Sequence, residues 1–588
     1  MTVGLSPIVH LGGSPLAASW QEALVEVRVE LEFQLPGRAT LRFTDPGYTL
    51  LSSKKVSLGT TVEVRDPSGD HLLISAEVTT LSCEQRAGEQ PELVAVALDR
   101  SHRLGRKTVV KVFQGVAYSD VVSSLASGAG LTPSVDESGE RFDYLMQAET
   151  DLILVTELAR RCGFDWWVEG TTLHFEKPKS HGEVSLALGA ELRSFSARAA
   201  GFQPSQVVVD GWDRDQQDLI SHEATTVSAP LARSDFADLA RQAHSAFGPA
   251  GVFSGGLAAG SSTEAGKLAQ TVLDRAATAS VTAKGVAEGN GGVALGKTAK
   301  VSGAGPLDGD YPITFVEHLY RPAAGFVTRF ASGERRPTGL VDSLAGGVGA
   351  GAYAGPAHLR PGITVGKVTS NNDPKHWGRV RVKYAGLSAD VESDWARVVT
   401  VGGGKERGSV WIPEVDDEVL LGFESGDARR PVVIGGLFGE QATMPATEIA
   451  DGKVQSRAMT SRLGHVVAFL DGTAADKQAI ELVLAGKQHT LHLGQDKLAV
   501  TVPAGTPVEI TAGGTAIKFS GSGDVAVQGV NVTVKADNAL KLQGTQVSIE
   551  AEAALQMKAN AEAKLGGAIV EVQSQGPAKL AGQPVMIN

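Results

Sequence analysis

The sequence is poor in the residues that would cross-link it, anchor it or bind a metal. It has 2 cysteines in 588 residues, Cys83 and Cys162, and no Cys-x-x-Cys pair, so neither a disulfide framework nor a zinc site is predicted. Both thiols are expected to be buried and reduced. No run of about 18 apolar residues occurs, so no membrane-spanning helix is predicted. The first residues lack a basic stretch followed by an apolar one, and we expect synthesis in the cytoplasm without a signal peptide.

The net charge and the lack of catalytic motifs argue against further classes of function. The net charge of -12 argues against a general nucleic-acid binder. Neither Gly-x-Ser-x-Gly nor His-Glu-x-x-His occurs, and no Cys/His constellation is present. We therefore predict no catalytic residue, no cofactor-binding residue, no metal ligand and no enzyme activity.

Two features could be mistaken for binding sites. Residues 291–298 match the phosphate-loop pattern G-x4-G-K-T, but a strand before and a helix after, which that loop needs, are not indicated. His318 has no partner at metal-ligand spacing and is interpreted as structural. His489 and His492 lie three apart, which places them on opposite faces of a strand. A metal site shared on a symmetry axis is the alternative that stays open for this pair.

The end of the chain carries a short repeat. From about residue 520, pairs of apolar residues two apart recur every seven or eight residues, and two-apart spacing is strand spacing. Small or turn-forming residues separate the pairs. The pairs are Val525/Val527, Val532/Val534, Leu540/Leu542, Val547/Ile549, Leu555/Met557 and Ala563/Leu565.

Each repeat is too short to enclose a core by itself. Three identical chains wound round one axis would bury the apolar edges in a dry column and pair every strand edge. The sequence thus predicts an intertwined trimeric β-helix or β-prism needle. The predicted trimer core is Val532, Val534, Leu540, Leu542, Val547, Ile549, Leu555 and Met557. A single-chain solenoid is the alternative, although its coils usually need about 20 residues or more.

The rest of the chain is expected to be mainly β, with a few helices. Alternating apolar residues between 20 and 115 indicate an antiparallel barrel or sandwich. Helices are predicted over residues 119–127, 150–161, 234–247 and 261–278, and Trp166 and Trp167 fall in a hairpin, where packing is their expected role. Five or six short strands suit a small OB-type barrel. Those strands are residues 363–368, 379–384, 396–401, 408–412, 418–423 and 431–435.

The predicted domains follow from these patterns. They are a hub over 1–340 with a helical insert at about 218–290, a Gly-rich linker over 341–362, an OB-fold module over 363–440, a connector over 441–457, and the needle with its tip over 458–588.

Several motifs resemble one family. Residues 147–152 (QAETDL), 158–164 (LARRCGF) and 207–213 (VVVDGWD), the G-x-Y and V-x-H of 309–318, and 461–469 (SRLGHVVAF) resemble Vgr-type spike and phage late-control tail proteins. The succession at 378–382 (GRVRV), 395–398 (WARV), 411–420 (WIPEVDDEVL) and 423–435 (FESGDARRPVVIG) resembles the baseplate-spike OB module.

The resemblance implies the central spike of a contractile injection machine: a phage tail, a type VI secretion system or a free tail-like particle. It implies a homotrimer with two hub β-barrel domains per chain, joined to inner-tube and baseplate proteins. Effector cargo and transient contact with a target membrane are further expectations. A PAAR-type protein is expected to cap the tip at Pro584, Val585, Met586, Ile587 and Asn588.

Two alternatives stay open. One is a spike that carries peptidoglycan-degrading activity, although the segment between the OB module and the needle is too short for a lysozyme. The other is a β-helical adhesin or fibre, which would leave the OB and hub motifs unexplained.

Overall fold

The computed structural model describes residues 6–201, 203–214, 216–255, 259–333, 362–385, 391–445 and 449–587. The predicted linker over 341–362 lies outside this part of the chain except for Gly362, and the predicted tip residue Asn588 also lies outside it. Two compact units are present, Met1–Met444 and Pro445–Asn588. None of the helices in the described ranges is long and apolar enough to cross a membrane.

One large sheet organises the hub region, and fourteen of the described strands belong to it. Alternating buried residues give it two separate apolar cores, one around Phe43 and the other around Tyr311. The main path of the sheet runs in the order Leu192–Ala199, Val281–Glu288, Gly325–Ser332, Gly309–Arg321, Leu24–Glu32, Arg38–Thr44, Glu92–Asp99, Leu72–Glu84, Thr61–Arg65, Ile8–Leu11 and Ser14–Pro15. Glu183–Ala187, Thr298–Ser302 and Arg233–Ser234 join it beside Gly309–Arg321.

The two expected hub barrels are therefore two curled halves of one sheet. Strand Gly309–Arg321 pairs with Leu24–Glu32, with His318 opposite Val29. Register shifts in five of the described ladders of this sheet interrupt the pairing, and such bulges bend and twist strands. The sheet curls round each core, so the halves of the sequence are not independent barrels.

A small helical layer follows the first half of the sheet. Helices Tyr118–Gly128 and Asp151–Cys162 confirm two predicted helices, and the Thr150 side chain accepts a hydrogen bond from the Ile153 amide at 3.3 Å. The second helix ends at Gly163, which is left-handed at φ 69°. The hairpin Asp165–Glu169 and Thr172–Glu176 buries both tryptophans, as expected. The first half of the sheet also contains the short helices Ala18–Ala23 and Thr49–Ser52. The short strands of the helical layer are Lys111–Phe113, Val116–Ala117, Thr132–Val135, Arg141–Phe142 and Leu145–Gln147.

The insert combines helices with a three-stranded sheet. Helix Ser262–Thr278 packs on strands Gln206–Asp213, Asp218–Ala224 and Gly251–Gly255, and the Ser261 hydroxyl at its start accepts a hydrogen bond from the Glu264 amide. The predicted helix over 234–247 is wrong in its first part. Arg233–Ser234 pairs with the large sheet instead, and only Asp238–Arg241 and Ala243–Phe247 are helical.

The OB module is a five-stranded sheet in the order Arg381–Tyr384, Thr364–Ser370, Glu418–Phe423, Pro431–Gly436 and Arg397–Val398. The predicted strand over 408–412 is wrong. Gly402 and Gly408 have positive φ in the turn before this stretch, and Val410 and Trp411, which follow the turn, are exposed.

The second unit begins as antiparallel sheets. After the hairpin Ile449–Ala450 and Lys453–Val454, five strands pair in sequence order: Ser456–Thr460, Val466–Asp471, Gln478–Val483, Thr490–Gly494 and Leu498–Thr501. A three-stranded sheet follows, of Val508–Ala512, Thr515–Phe519 and Val525–Gln528. Residues 529–587 are extended without a ladder inside the chain. The first part of the expected β-helix is thus a meander that one chain pairs by itself.

Candidate assembly surface

The five-stranded sheet of the second unit has one apolar face. Residues directly opposite in an antiparallel ladder lie on the same face. Val467 is opposite Leu482, which is opposite Leu491, and Phe469 is opposite Ile480 in the neighbouring row. The exposed members of this face are Met459, Val467, Phe469, Ile480, Leu482, Leu493, Leu498 and Val500, at 41% to 69% exposure. We call this set the meander face.

The other face of the same sheet is more polar. His492 and Glu481 pair there, with Nδ1 and Oε1 2.7 Å apart, in a row with Ala468 and Ala499. His489 lies just before strand Thr490–Gly494, and its carbonyl accepts the Leu484 amide at 3.0 Å. If the meander face turns toward a symmetry axis, His492 points away from it.

Residues 529–587, which we call the repeat segment, bend at regular intervals. The bends fall at 530–531, 537–538, 545, 552–553, 560–561, 568, 575–576 and 583–584, and the predicted apolar pairs lie on the extended stretches between them. The eight predicted core residues, Val532 to Met557, are all exposed in the single chain, at 54% to 76%. The structure thus leaves all eight uncovered within the single chain.

The pattern continues past the last predicted pair. Val570/Val572 and Val585/Ile587 extend the same spacing. The middle residue of each triplet is polar at Thr533, Lys541, Ser548, Gln556, Lys564 and Glu571, but it is apolar at Met586, which is 85% exposed. The triplet at 585–587 is therefore apolar on both faces. Pro584, Val585 and Ile587 are exposed as well.

The other candidate site residues from the sequence, His318 and the phosphate-loop pattern over 291–298, make contacts within the fold. His318 is buried, its Nδ1 lies 2.9 Å from the Thr328 hydroxyl, and burial lowers its pKa to about 4. In the phosphate-loop look-alike, Lys297 donates to the Gly292 carbonyl at 3.0 Å, and strand Thr298–Ser302 follows where a helix would be needed. The described residues hold no group of three or more His, Cys, Asp or Glu placed to bind a metal ion.

The expectation for the cysteines is wrong in part. Cys83 is exposed, because it lies near the end of strand Leu72–Glu84, where the strand leaves the core. Cys162 is partly buried, and burial raises the pKa of its thiol to about 12.

The meander face is the feature that sequence reasoning missed. The signal was present, because Val467/Phe469, Ile480/Leu482, Leu491/Leu493 and Leu498/Val500 are apolar pairs two apart. They were assigned to a continuous needle, and only the pairing register shows that they share one face of one sheet.

Two family models match the chain. One, described as phage tail baseplate hub (GPD), matches residues 32–323. The other, described as type VI secretion system/phage-baseplate injector OB domain, matches residues 364–438.

The curated relatives are similar over a short stretch. Type VI secretion system spike protein VgrG5 of Pseudomonas aeruginosa is 39% identical over 116 residues, which is 19% of this chain and 15% of that protein. VgrG1c of the same organism is 31% identical over 111 residues, 18% of this chain and 15% of that protein. The chain thus matches about 15% of the length of these relatives.

Two solved structures are similar to this chain at low sequence identity. The structure described as "PdpA-VgrG Complex, Lidless" has a TM-score of 0.50 at 8% identity and covers 85% of this chain and 99% of that chain. The Escherichia coli c3393 protein, described as a component of the type VI secretion system, has a TM-score of 0.42 at 15% identity and covers 71% of this chain and 96% of that chain.

Proposed function

This chain belongs to the VgrG-like baseplate hub and spike proteins, and we propose that three copies of it form the central spike of a contractile injection machine. In this proposal the hub joins the needle to the inner tube and baseplate, and the needle punctures the target envelope. The spike is assembled in the cytoplasm and acts as part of the tail-like particle.

The unpaired repeat segment carries the proposal. An extended chain exposes a backbone N–H and C=O at nearly every residue, and such groups are normally paired. Between residues 529 and 587 no ladder exists inside the chain, although apolar pairs recur on every extended stretch. Other copies of the same segment supply both the missing ladders and the missing cover.

Three copies suit this geometry better than two. Two extended segments leave their outer edges open, which exposes templates for aggregation. Three segments that bend every seven or eight residues pass from wall to wall and close a column. The meander face supports the same symmetry, because three such sheets can turn their apolar sides inward.

We infer the partners from the family and from the exposed apolar surface of residues 584–587. Hub residues contact tube and baseplate proteins, and a PAAR-type protein covers Pro584, Val585, Met586, Ile587 and Asn588. Effector cargo is a further proposed partner, and a related solved structure is described as a complex of PdpA with VgrG. The role is mechanical, with work supplied by contraction of the machine, and we propose no catalytic residue and no cofactor.

Multi-angle light scattering on the purified chain tests the proposal. The expected mass is three times 61.1 kDa. A mass of one chain at about 10 µM, where a needle with this much apolar surface should be assembled, would refute the trimer.

A further inference from the structure

The OB module does not complete its own apolar core. Val368, Val380 and Val382 of the barrel form one cluster with Tyr144 and Met146, which belong to the helical layer of the hub. Val110 and Val112 of the hub pack against the same cluster. The Tyr144 hydroxyl also donates to the Glu392 carbonyl at 2.8 Å. Part of the barrel's interior is therefore supplied from more than 200 residues away in the sequence.

Beside this apolar contact lies a buried ionic cluster. Arg429 of the OB module reaches Glu264 of the insert at 3.0 Å and Asp427 of its own loop at 2.8 Å. Arg161, from the hub helix Asp151–Cys162, reaches the same Glu264 oxygen at 3.2 Å. Arg429 Nη1 also donates to the Tyr118 hydroxyl at 3.4 Å. Two arginines and two carboxylates are thus paired across three parts of the fold.

Hydrogen bonds within the insert fix the position of the Glu264 carboxylate, independently of its contacts with the two arginines. Its backbone amide donates to the Ser261 hydroxyl, and its Oε2 accepts the Gly260 amide at 2.8 Å, so hydrogen bonds at the start of helix Ser262–Thr278 orient the carboxylate. The other oxygen, Oε1, is left to accept from Arg161 and Arg429. The hub therefore presents a preorganised acceptor toward the barrel.

Two further polar contacts join the OB module to the hub beside this cluster. Arg430 Nη1 donates to the Trp212 carbonyl at 3.0 Å, and Arg214 reaches Asp394 at 3.2 Å. The approach at Gly260 is close, since a β-carbon there would lie 2.6 Å from Arg430 Nη2. A side chain at position 260 would therefore have to displace the Arg430 guanidinium.

We propose that Tyr144, Met146, Glu264 and the Trp212 carbonyl form a docking surface on the hub whose occupant is the OB module of the same chain. This surface, and not the peptide over residues 334–361, holds the barrel and sets its orientation. A buried ionic cluster adds little net stability compared with apolar packing, but removing one partner is severe, so it favours the single orientation in which every charge is paired. The inference concerns one chain and stands apart from the trimer.

A cleavable linker tests the proposal on the full chain. A recognition site for a sequence-specific protease is inserted between Gly349 and Ala350, and the purified protein is cut. Size-exclusion chromatography at about 1 µM and physiological salt then asks whether the hub fragment leaves with the OB-needle fragment. We expect the wild-type fragments to co-elute in equal amounts.

The variant Arg429→Met removes one partner of the cluster and leaves the Asp427 carboxylate buried without the arginine that pairs with it at 2.8 Å. It should weaken retention of the hub fragment by about 100-fold or more. The matched control is Arg407→Met on an exposed turn of the same module, which should behave as wild type. A milder variant, Tyr144→Phe with Asp394→Asn, preserves shape and should weaken retention by about 10-fold.

The outcomes separate cleanly. Dissociation of the wild-type fragments after cleavage would overturn the proposal, because the peptide over residues 334–361 would then be what holds the barrel to the hub. A hub fragment that stays bound in both of these variants would also overturn it, because contacts other than the proposed ones would then be holding the barrel. Circular dichroism and melting of the uncut variants confirm that the barrel is folded, and the milder variant decides the matter if the first does not fold.

Discussion

At the scale of single residues, burial of carboxylates has opposite outcomes in this protein. Burial alone would raise the pKa of Asp427, but the charge of Arg429 and its hydrogen bonds outweigh burial and lower that pKa. At Asp165 burial dominates over Arg275 and the Gln34 amide, and it raises the pKa to about 6. The difference lies in the partner, because Asp427 forms an ion pair and hydrogen bonds with Arg429, whereas Asp165 accepts a hydrogen bond from the neutral Gln34 amide.

Asp165→Asn should therefore stabilise the first unit at pH 8, by about 1–2 kcal/mol. A carboxyl group with a raised pKa in the folded state makes its full contribution to the free energy of unfolding at pH values below its unfolded pKa of about 4. That contribution is lost as the pH rises through the folded pKa of about 6. The gain from asparagine should shrink as the pH falls from 8 to 4. Denaturant unfolding at several pH values measures it, with the exposed Asp70→Asn as control. A gain that does not change with pH would contradict the assignment.

The predicted trimer core gives a second residue-scale prediction. Val534→Asp, Leu542→Asp or Ile549→Asp would each place three like charges round one axis, and an unpaired buried charge costs several kcal/mol per ion. Each variant should abolish the trimer in light scattering. Lys535→Asp, one residue on from Val534 and facing outward, should assemble normally. Equal behaviour of the two classes would show that the register is wrong.

At the scale of elements, the repeat segment differs from the sheets before it. The meander strands pair inside the chain because short turns join them, as at Gly464 and Gly486, where positive φ reverses the backbone. The repeat segment bends without reversing, so successive stretches do not meet. The meander pairs its strands within a single chain, whereas residues 529–587 form no ladder inside the chain.

The apolar triplet at 585–587 predicts where the cap binds. Deleting residues 581–588 should leave the trimer intact, because the upstream repeats build their own column, but should abolish pull-down of the PAAR-type protein. Met586→Lys is the finer test, since it gives this triplet the polar middle residue of the others and should weaken capture by about 10-fold or more. Full capture by the truncated spike would place the cap elsewhere.

At the scale of the whole molecule, the chain separates into two compact units near residue 444. The first unit has five apolar cores, among the described residues, and most of its strands are paired within it. The second exposes apolar residues along most of its length. We therefore expect the first unit to fold alone, and we expect the stability of the second to depend on assembly and hence on protein concentration.

Calorimetry should resolve this division. Residues 1–444 expressed alone should unfold in one cooperative transition at the same temperature, within a few degrees, as one of the transitions of the full chain. The other transition should belong to the needle and should shift with protein concentration. A fragment 1–444 that is unfolded, or a full chain that melts in a single step independent of concentration, would contradict two separate units.

The sequence by itself determined the features that depend on near neighbours. Thr150 and Gly163 bound one helix, Ser261 begins another, and the spacing of apolar pairs marks the repeat, because caps and side-chain periodicity act over a few residues. The family motifs, including the run at 411–420, likewise belong to short stretches. These signals were enough to identify the hub and OB regions and to point to the needle.

Tertiary structure decided what depends on partners far along the chain. Only folding shows that Gly309–Arg321 joins Leu24–Glu32 in one sheet, that Arg233 and Ser234 pair as a strand where a helix was predicted, and that one face of the meander is apolar. The cluster of Arg161, Glu264 and Arg429 spans 268 residues, from 161 to 429, and no local pattern announces it. Each of these choices is made by the packing free energy of the whole unit, which outweighs the small preferences that a local stretch carries.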